Sequence, residues 1–257
     1  MINQAAVVAS AFVFLSSLCP AVRAGGILDE EREQKYSIGA NPSLTVRNTD
    51  GRVLVYGSEA GQITVKIYKR AFTQDRLSKI EANISMDGDA MKIDTNYPPQ
   101  AKGLFADRSG TVEYTLLVPQ NCAVNVEQSQ GEILLKDLRG PGIDARLANG
   151  RINVRSCFSP ARVQLGYGGI DVTFNWWEKL PFAMSFEVDR GDVELLLPPP
   201  AGLRLDAATQ NGHIRKKLVA DSQDEDVQQL NTTIGDPTGA EFKIRTAEGN
   251  IKIGKAY

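Results

Sequence analysis

A short phrase repeated at a nearly constant interval constrains this chain more than any other feature of its sequence. Each copy has an alternating apolar pair, a glycine that usually follows a polar residue, and then a second alternating apolar pair. The glycines of three copies, Gly131, Gly150 and Gly169, are separated by 19 residues each. A fixed period of about 20 residues is the mark of an array of equal units that stack on their neighbours. The sequence therefore predicts a repetitive, all-β architecture.

The same register extends along most of the chain. Further copies are centred on glycines upstream and downstream, namely Gly51, Gly88, Gly110, Gly191, Gly212 and Gly249. Together they predict about ten units of about 20 residues. Residues 77–84 fit either a short helix or an irregular strand, and no helix of about ten residues or more is predicted elsewhere in the mature chain.

Two all-β architectures fit this pattern. In a right-handed parallel β-solenoid each period is one coil, and glycine or asparagine occupies a corner where φ is positive. In an antiparallel β-sandwich, pairs such as Asn149-Gly150 would form hairpin turns. Hairpins do not require a constant distance between turns, whereas coils stacked in register do. The constant step therefore favours a solenoid of about ten coils over residues 41–257.

Residues 1–24 have the composition of a secretory signal peptide. An apolar run over residues 5–18 is followed by Val22 and Ala24 at the −3 and −1 positions of a cleavage site. The run is shorter than the roughly 20 residues that span a bilayer. We therefore predict cleavage, no integral membrane segment in the mature chain, and export to the periplasm or the cell surface. Cys19 leaves lipidation as an alternative, although the residue before it is larger than a lipidation signal prefers.

The segment after the signal peptide and the overall charge narrow the range of partners. Residues 25–40 are rich in charged side chains and have no apolar period, which predicts a flexible leader. The chain has 29 basic and 31 acidic residues and a formal net charge of −2. Such a balance provides no basic field for nucleic acid, so no nucleic-acid partner is expected.

Catalytic and metal sites are poorly supported by the residue types present. His213 is the only histidine, and it follows Asn211-Gly212 at a position where other copies carry exposed polar residues. A Ser-His-Asp, Cys-His or zinc site would depend on that one residue. The acidic stretch over 221–226 lacks the glycine turn and alternating ligands of a calcium loop, and we interpret it as a surface loop. No catalytic residue, metal or cofactor is predicted.

Carboxylates on successive coils leave a polysaccharide-active enzyme as a minor alternative. The candidates would be Asp171, Glu187, Asp189 and Arg190. Every second residue of a half-buried strand faces outward, so a row of polar side chains is expected without any catalysis. The tripeptide Arg190-Gly191-Asp192 matches a cell-attachment motif, but its glycine also belongs to the repeat.

An aromatic segment interrupts the repeat between Val172 and Phe186 and contains both tryptophans of the chain. The candidate binding residues are Phe174, Trp176, Trp177 and Phe182. Paired rings on a projecting segment could stack on a glycan or dock an envelope protein. The alternative interpretation is that these rings cover the local core or a strand edge.

Two cysteines, Cys122 and Cys157, remain after signal cleavage. In an exported protein an even number permits a disulfide. Two buried, unbridged thiols are the other interpretation, and the sequence does not choose between them.

Several of these phrases resemble the bacterial "putative adhesin" family of exported proteins. The resemblance rests on residues 93–98, 112–119, 149–154 and 197–214, and it covers most of residues 44–254. It implies a β-solenoid similar to autotransporter adhesin heads, in a domain of unknown function that supplies no catalytic residues. The leading hypothesis is a non-enzymatic envelope or cell-surface protein that binds a surface or a glycan. A self-associating structural scaffold is the second hypothesis, and its oligomeric state is left open.

Overall fold

The computed structural model of the chain describes residues 26–99, 109–217, 227–237 and 239–256. The predicted signal peptide, Cys19 and the acidic loop over 221–226 lie outside these residues. Within the described ranges, no helix has the length and apolarity needed to cross a bilayer.

The described chain is all-β apart from one helical turn and a half. The strands are β1 Leu28–Ser37, β2 Ser43–Ser58, β3 Gln62–Ala71, β4 Glu81–Asp87, β5 Ala90–Asn96, β6 Thr111–Pro119, β7 Ala123–Lys136, β8 Ile143–Arg155, β9 Ala161–Thr173, β10 Ala183–Leu197, β11 Leu203–Asn211, β12 Ile214–Lys217, β13 Gln229–Ile234, β14 Ala240–Glu248 and β15 Ile251–Lys255. The helix α1 spans Gln74–Lys79 and is followed directly by β4. Residues 77–84 therefore contain the end of a helix and the start of a strand.

The long strands run through the repeated phrase and bend at its glycine. In β7, Val124 and Val126 are buried before the bend, and Ile133 and Leu135 are buried after it. The buried positions change from even to odd across Gly131, because the bend turns the second arm so that both arms face one interior. Buried residues of both arms belong to a single hydrophobic cluster. The core therefore lies between the two arms of the stacked strands.

Successive long strands pair in parallel with their bends aligned. The paired bend residues are Gly51 with Gly131, Gly131 with Gly150, Gly150 with Gly168, and Gly168 with Gly191. The interpretation of Asn149-Gly150 as a hairpin turn is therefore wrong, since Gly150 lies inside one continuous strand. The assignment of Gly169 as the third corner is also wrong. Gly168 has the positive φ of +136°, and Gly169 takes the first position after the bend.

Among the residues that the structure describes, the array contains eight rungs rather than about ten. A rung is one bent strand, or two short strands that together cover both arms. In sheet order the rungs are β5 with β6, β2, β7, β8, β9, β10, β14 with β15, and β11 with β12. Gly88 is not a corner, because it lies in the hairpin turn between β4 and β5. Chain order is broken at two places: the rung of β5 and β6 lies on the far side of β2 from β7, and β14 and β15 insert between β10 and the rung of β11 and β12.

Antiparallel strands flank the parallel rungs, so the sheet is mixed. They are β1, β3, β4 and β13, which pair with β3, β6, β5 and β11 respectively. The prediction of a flexible leader over residues 25–40 is wrong for residues 28–37, which form the edge strand β1. Edge strands expose most of their side chains, so β1 has no apolar period. It forms a strand because it pairs with β3.

Buried polar side chains close four of the bends. Each lies three residues before a corner glycine and donates a hydrogen bond to a backbone carbonyl of the adjacent rung. The bonds are Asn48 to Val112 (3.1 Å), Gln128 to Gly51 (2.8 Å), Thr209 to Gly249 (2.8 Å) and Thr246 to Gly191 (3.2 Å). A buried carbonyl without a partner is costly, so these residues satisfy acceptors that the bend withdraws from the regular strand pairing.

Candidate ligand-binding groove

The corner glycines form a continuous backbone stack through the array. A Cβ atom added at Gly150, Gly168 or Gly191 would lie 1.9, 1.8 or 1.7 Å from the carbonyl oxygen of the preceding corner. Contacts this short cannot exist, so each corner requires glycine for close approach as well as for its positive φ. The consequence is a line of bends that carries no side chains.

A groove of about 1030 Å³ follows this line of bends on the outside of the molecule. We call it the glycine groove. Its floor includes the backbone of the corners Gly131, Gly150, Gly168 and Gly191, and its other lining residues lie within three positions of a corner. The lining residues with polar or aromatic side chains are Arg151, Tyr167, Asp171, Arg190, Asp192, Glu194, His213, Arg215, Glu248, Asn250 and Lys252.

Tyr167 is the aromatic residue of the glycine groove. It directly precedes the corner at Gly168, and 63% of its surface is exposed. In neighbouring rungs the paired positions carry Asn149 and Arg190. An aromatic side chain held at a rigid bend, with a large free surface, offers a flat apolar face beside polar groups.

The opposite wall is a set of charged side chains that largely pair with each other. Arg151 bonds Asp171 at 2.7 Å, and Lys252 forms an ion pair with Glu194. Asp192 accepts a 2.7 Å hydrogen bond from the backbone N–H of Asn250. The side chains are therefore oriented by contacts across rungs.

The formal charges of the glycine groove cancel. Its acids are Asp171, Asp192, Glu194 and Glu248, and its bases, apart from His213, are Arg151, Arg190, Arg215 and Lys252. Arg190 is also paired with Glu248, at 3.2 Å. Such a surface has neither the excess of positive charge that attracts polyanions nor the reverse.

Of the four aromatic residues predicted to bind a ligand, the structure places two fully in the core. Phe174 is 0% and Phe182 6% exposed, so neither can contact a ligand in the folded protein. Trp177 is half-buried, with its ring centroid 5.3 Å from that of Phe174. These rings pack with Phe158 and Phe242 in one aromatic cluster. Phe174, Trp177 and Phe182 therefore cover the core, as in the alternative interpretation of this segment.

Trp176 is the exposed member of the aromatic segment, at 41%. Its indole N–H donates to the carboxylate of Glu178 at 3.2 Å. Arg139 bonds the same carboxylate at 2.5 Å and also lies over the ring of Phe158. The hydrogen bond from Arg139 holds the pKa of Glu178 below its usual value. Trp176 remains available to a ligand, on a segment separate from the residues that line the glycine groove.

Cys122 and Cys157 are both buried free thiols, so no disulfide joins them in this structure. Burial raises the pKa of each thiol to about 12. Thiolate is the reactive form of cysteine, so both residues act as small core side chains.

The predicted alternatives for catalysis are not brought together. Asp171 and Arg190 line the glycine groove, whereas Glu187 and Asp189 line a different, shallow depression on the face of the first arm. In that depression Arg47, Glu127 and Arg146 form an ion-pair ladder with contacts of 3.0 and 3.4 Å. Within the described ranges, no group of three or more His, Cys, Asp and Glu side chains is arranged to hold a metal ion.

His213 and the tripeptide Arg190-Gly191-Asp192 are both parts of the repeat. His213 is exposed just after the corner at Gly212. In the tripeptide, Gly191 is a corner with φ +143°, and its two neighbours make the contacts with Glu248 and Asn250 described above.

Sequence reasoning missed Tyr167 as a functional candidate. The available signal was its position, since it is an aromatic residue directly before a corner where the other rungs carry Asp50, Gln130, Asn149, Arg190, Asn211 and Glu248. The position of Tyr167 is recognised only when Gly168, rather than Gly169, is known to be the corner.

These observations define the class of the molecule as a repetitive all-β protein whose strands bend at stacked glycines. Residues 27–254 match the family model described as Toastrack DUF4097. The chain therefore belongs to the Toastrack DUF4097 family, a domain family of unknown function. No curated protein matches the sequence.

Two solved structures resemble this chain at low sequence identity. One is a "putative cell adhesion protein" from Clostridium sporogenes, with a TM-score of 0.54 and 16% identity over 88% of this chain and 100% of that chain. Another is a "putative adhesin" from Bacteroides fragilis, with a TM-score of 0.41 and 13% identity over 87% of this chain and 97% of that chain. At such identity the likeness to the first structure concerns the fold alone.

Proposed function

We propose that this is a non-enzymatic protein of the bacterial cell envelope or cell surface that binds an extended glycan in the glycine groove. The observation that carries the proposal is the exposed ring of Tyr167 beside a bare backbone floor. Binding sites for neutral organic ligands combine an apolar or aromatic surface with a few oriented polar groups. The ion pairs of the opposite wall supply such groups.

The length of the groove favours a polymer over a small molecule. The lining residues from Gly131 to His213 belong to six consecutive rungs, and strands in a sheet are about 4.8 Å apart, which gives a track of roughly 24 Å. A track of this length fits a linear chain that lies across the strands.

Export, cleavage of residues 1–24 and the right-handed solenoid are parts of the same proposal. Support for a surface role comes from the name of the Clostridium sporogenes protein. The parallel bent rungs with aligned corners support the solenoid description for the central part of the array.

Glycan binding is tested with the purified protein against cell-wall and extracellular glycans, by calorimetry or biosensor titration. Tyr167→Ala is expected to weaken binding at least about tenfold, or about 1.4 kcal/mol, because a central aromatic contact dominates such interfaces. Trp176→Ala is the matched control, since it removes another exposed aromatic ring that does not line the glycine groove. Loss of binding in Trp176→Ala alone would place the ligand on the aromatic segment, and no binding to any glycan would overturn the proposal.

A second candidate function is a self-associating scaffold, which the edge strand β13 favours. Within the described residues β13 pairs only with β11, and its six residues carry no charge. The edge strand β1, in contrast, has six charged residues out of ten. Uncharged edge strands are templates for pairing with another chain, and charges block it.

Sedimentation velocity distinguishes the scaffold from the binding protein. If β13 mediates association, the wild type forms a concentration-dependent dimer, and Asn231→Lys makes it monomeric by placing a charge on that edge. Gln34→Lys on β1 is the control and should leave association unchanged. A wild type that is monomeric at all concentrations would eliminate the scaffold.

A further inference from the structure

One position in the wall of the glycine groove has no side chain. The residues directly after the bends form a row across the rungs, and from β2 to β12 they are Arg52, Glu132, Arg151, Gly169, Asp192, Asn250 and His213. Gly169 therefore interrupts a row that is otherwise continuous. We call this gap the Gly169 notch.

The notch is not required by the fold. A Cβ at Gly169 would meet nothing closer than the carbonyl oxygen of Asp192, at 3.8 Å, and its φ lies outside the left-handed region. The adjacent Gly168, in contrast, has no room for a side chain. Backbone geometry thus explains glycine at residue 168 and leaves glycine at residue 169 unexplained.

The dimensions of the notch suit one sugar ring. Arg151 and Asp192 flank it on the two neighbouring rungs, so their backbones are about 9.6 Å apart, which is two strand spacings. On the same strand, Tyr167 lies two residues before Gly169, on the other side of the bend. Asp171 lies two residues after Gly169. A Cβ at Gly169 would have only the Asp192 carbonyl oxygen within 4 Å, so a ligand has room to approach the backbone there.

The polar groups around the notch match sugar hydroxyls. Asp192 accepts both hydrogen bonds from Asn250 through Oδ1, at 2.7 and 3.3 Å, and its Oδ2 has no hydrogen-bond partner among the described residues. Arg151 and Asp171, paired at 2.7 Å, present a donor and an acceptor side by side. Hydroxyl groups both donate and accept hydrogen bonds, so they can satisfy all three side chains.

We propose that the Gly169 notch is a subsite for a single neutral hexose unit of the glycan. This inference rests on the proposed function and names the sugar class for the same groove. Two carboxylates and one guanidinium border the notch directly, and the charges of the whole groove cancel, so a sugar with its own carboxylate finds no net positive charge to pair with. An uncharged hexose needs no such charge and leaves the Arg151–Asp171 pair intact.

Filling the notch tests the subsite. Gly169→Leu should place a side chain where the sugar ring lies and weaken binding of neutral hexose oligosaccharides at least tenfold, with an unchanged melting temperature. Gly142→Leu is the matched control, because its Cβ also enters open space and Gly142 does not line the glycine groove. The probes are gluco-, manno- and galacto-oligosaccharides, with an oligogalacturonate as the acidic counterpart.

The outcomes separate the subsite from the general proposal. Loss of neutral-sugar binding in both Gly169→Leu and Tyr167→Ala, with Gly142→Leu at wild-type affinity, would support the subsite. Wild-type affinity in Gly169→Leu together with a loss in Tyr167→Ala would overturn the subsite and leave glycan binding in place. Preference for oligogalacturonate would overturn the sugar class, and no binding to any probe would overturn both proposals.

Discussion

Gly168→Ala is expected to destabilise the protein by about 3 kcal/mol or more, or to prevent folding altogether. The new Cβ would lie 1.8 Å from the carbonyl oxygen of Gly150. It would also force a side chain into φ +136°, which L residues rarely adopt. The obstacle is backbone in the centre of the array, so relief requires two rungs to separate.

The adjacent glycine is the matched control. Gly169→Ala introduces the same methyl group one residue later, with ordinary φ and its nearest neighbour at 3.8 Å. We expect it to change the free energy of unfolding by no more than about 1 kcal/mol, with a gain through the unfolded state. Urea unfolding monitored by circular dichroism measures both variants. Equal midpoints for the two would contradict the backbone stack.

Phe174→Ala is expected to lower the free energy of unfolding by about 3–5 kcal/mol, the usual range for removal of a fully buried ring. Phe174 is 0% exposed. Its ring centroid lies 5.3 Å from those of Phe158 and Trp177, and 5.7 Å from that of Phe242. These contacts tie the 174–182 segment to β14, so the cavity would loosen the end of one rung against its neighbour.

Tryptophan fluorescence reports on the same cluster, because the only two tryptophans are next to each other. In Phe174→Ala the emission should shift to longer wavelength as Trp177 gains contact with water, and the urea midpoint should fall. Trp176→Ala is the control, with an expected loss smaller than that of Phe174→Ala, because Trp176 is 41% exposed and Phe174 is fully buried. An unchanged midpoint in Phe174→Ala would show that the segment is not part of the core.

The strands and most of their bends were predictable because their signals are local. Val124, Val126, Ile133 and Leu135 alternate with polar residues on both sides of Gly131, and that pattern directly predicts two half-buried arms. The all-β class and the near absence of helix follow from the same alternation.

The sequence-based predictions were wrong where pairing between distant segments decides among local structures that the sequence allows equally well. Gly168 and Gly169 are neighbours, and either could have been the corner. Only contact with the carbonyl of Gly150 selects Gly168. Likewise, β1 has no apolar period and is a strand because β3 provides ten partner residues for it.

The candidate site was only partly accessible from the sequence. The aromatic segment was recognised, but burial of Phe174 and Phe182 depends on Phe242, which lies 60 or more residues further along the chain. Tyr167 is visible as an unusual residue before a glycine. Its neighbours in the groove, among them Glu248 and Lys252, approach it only because β14 and β15 pair with β10.

By itself, the sequence determined the repeated bent strand, because alternation and glycine act within a few residues. The tertiary structure alone decided the order of the rungs, the true corner at Gly168 and the groove along the bends. These depend on hydrogen bonds and backbone contacts between segments far apart in the chain. Several pairings satisfy the local pattern equally well, and only the complete stack distinguishes them.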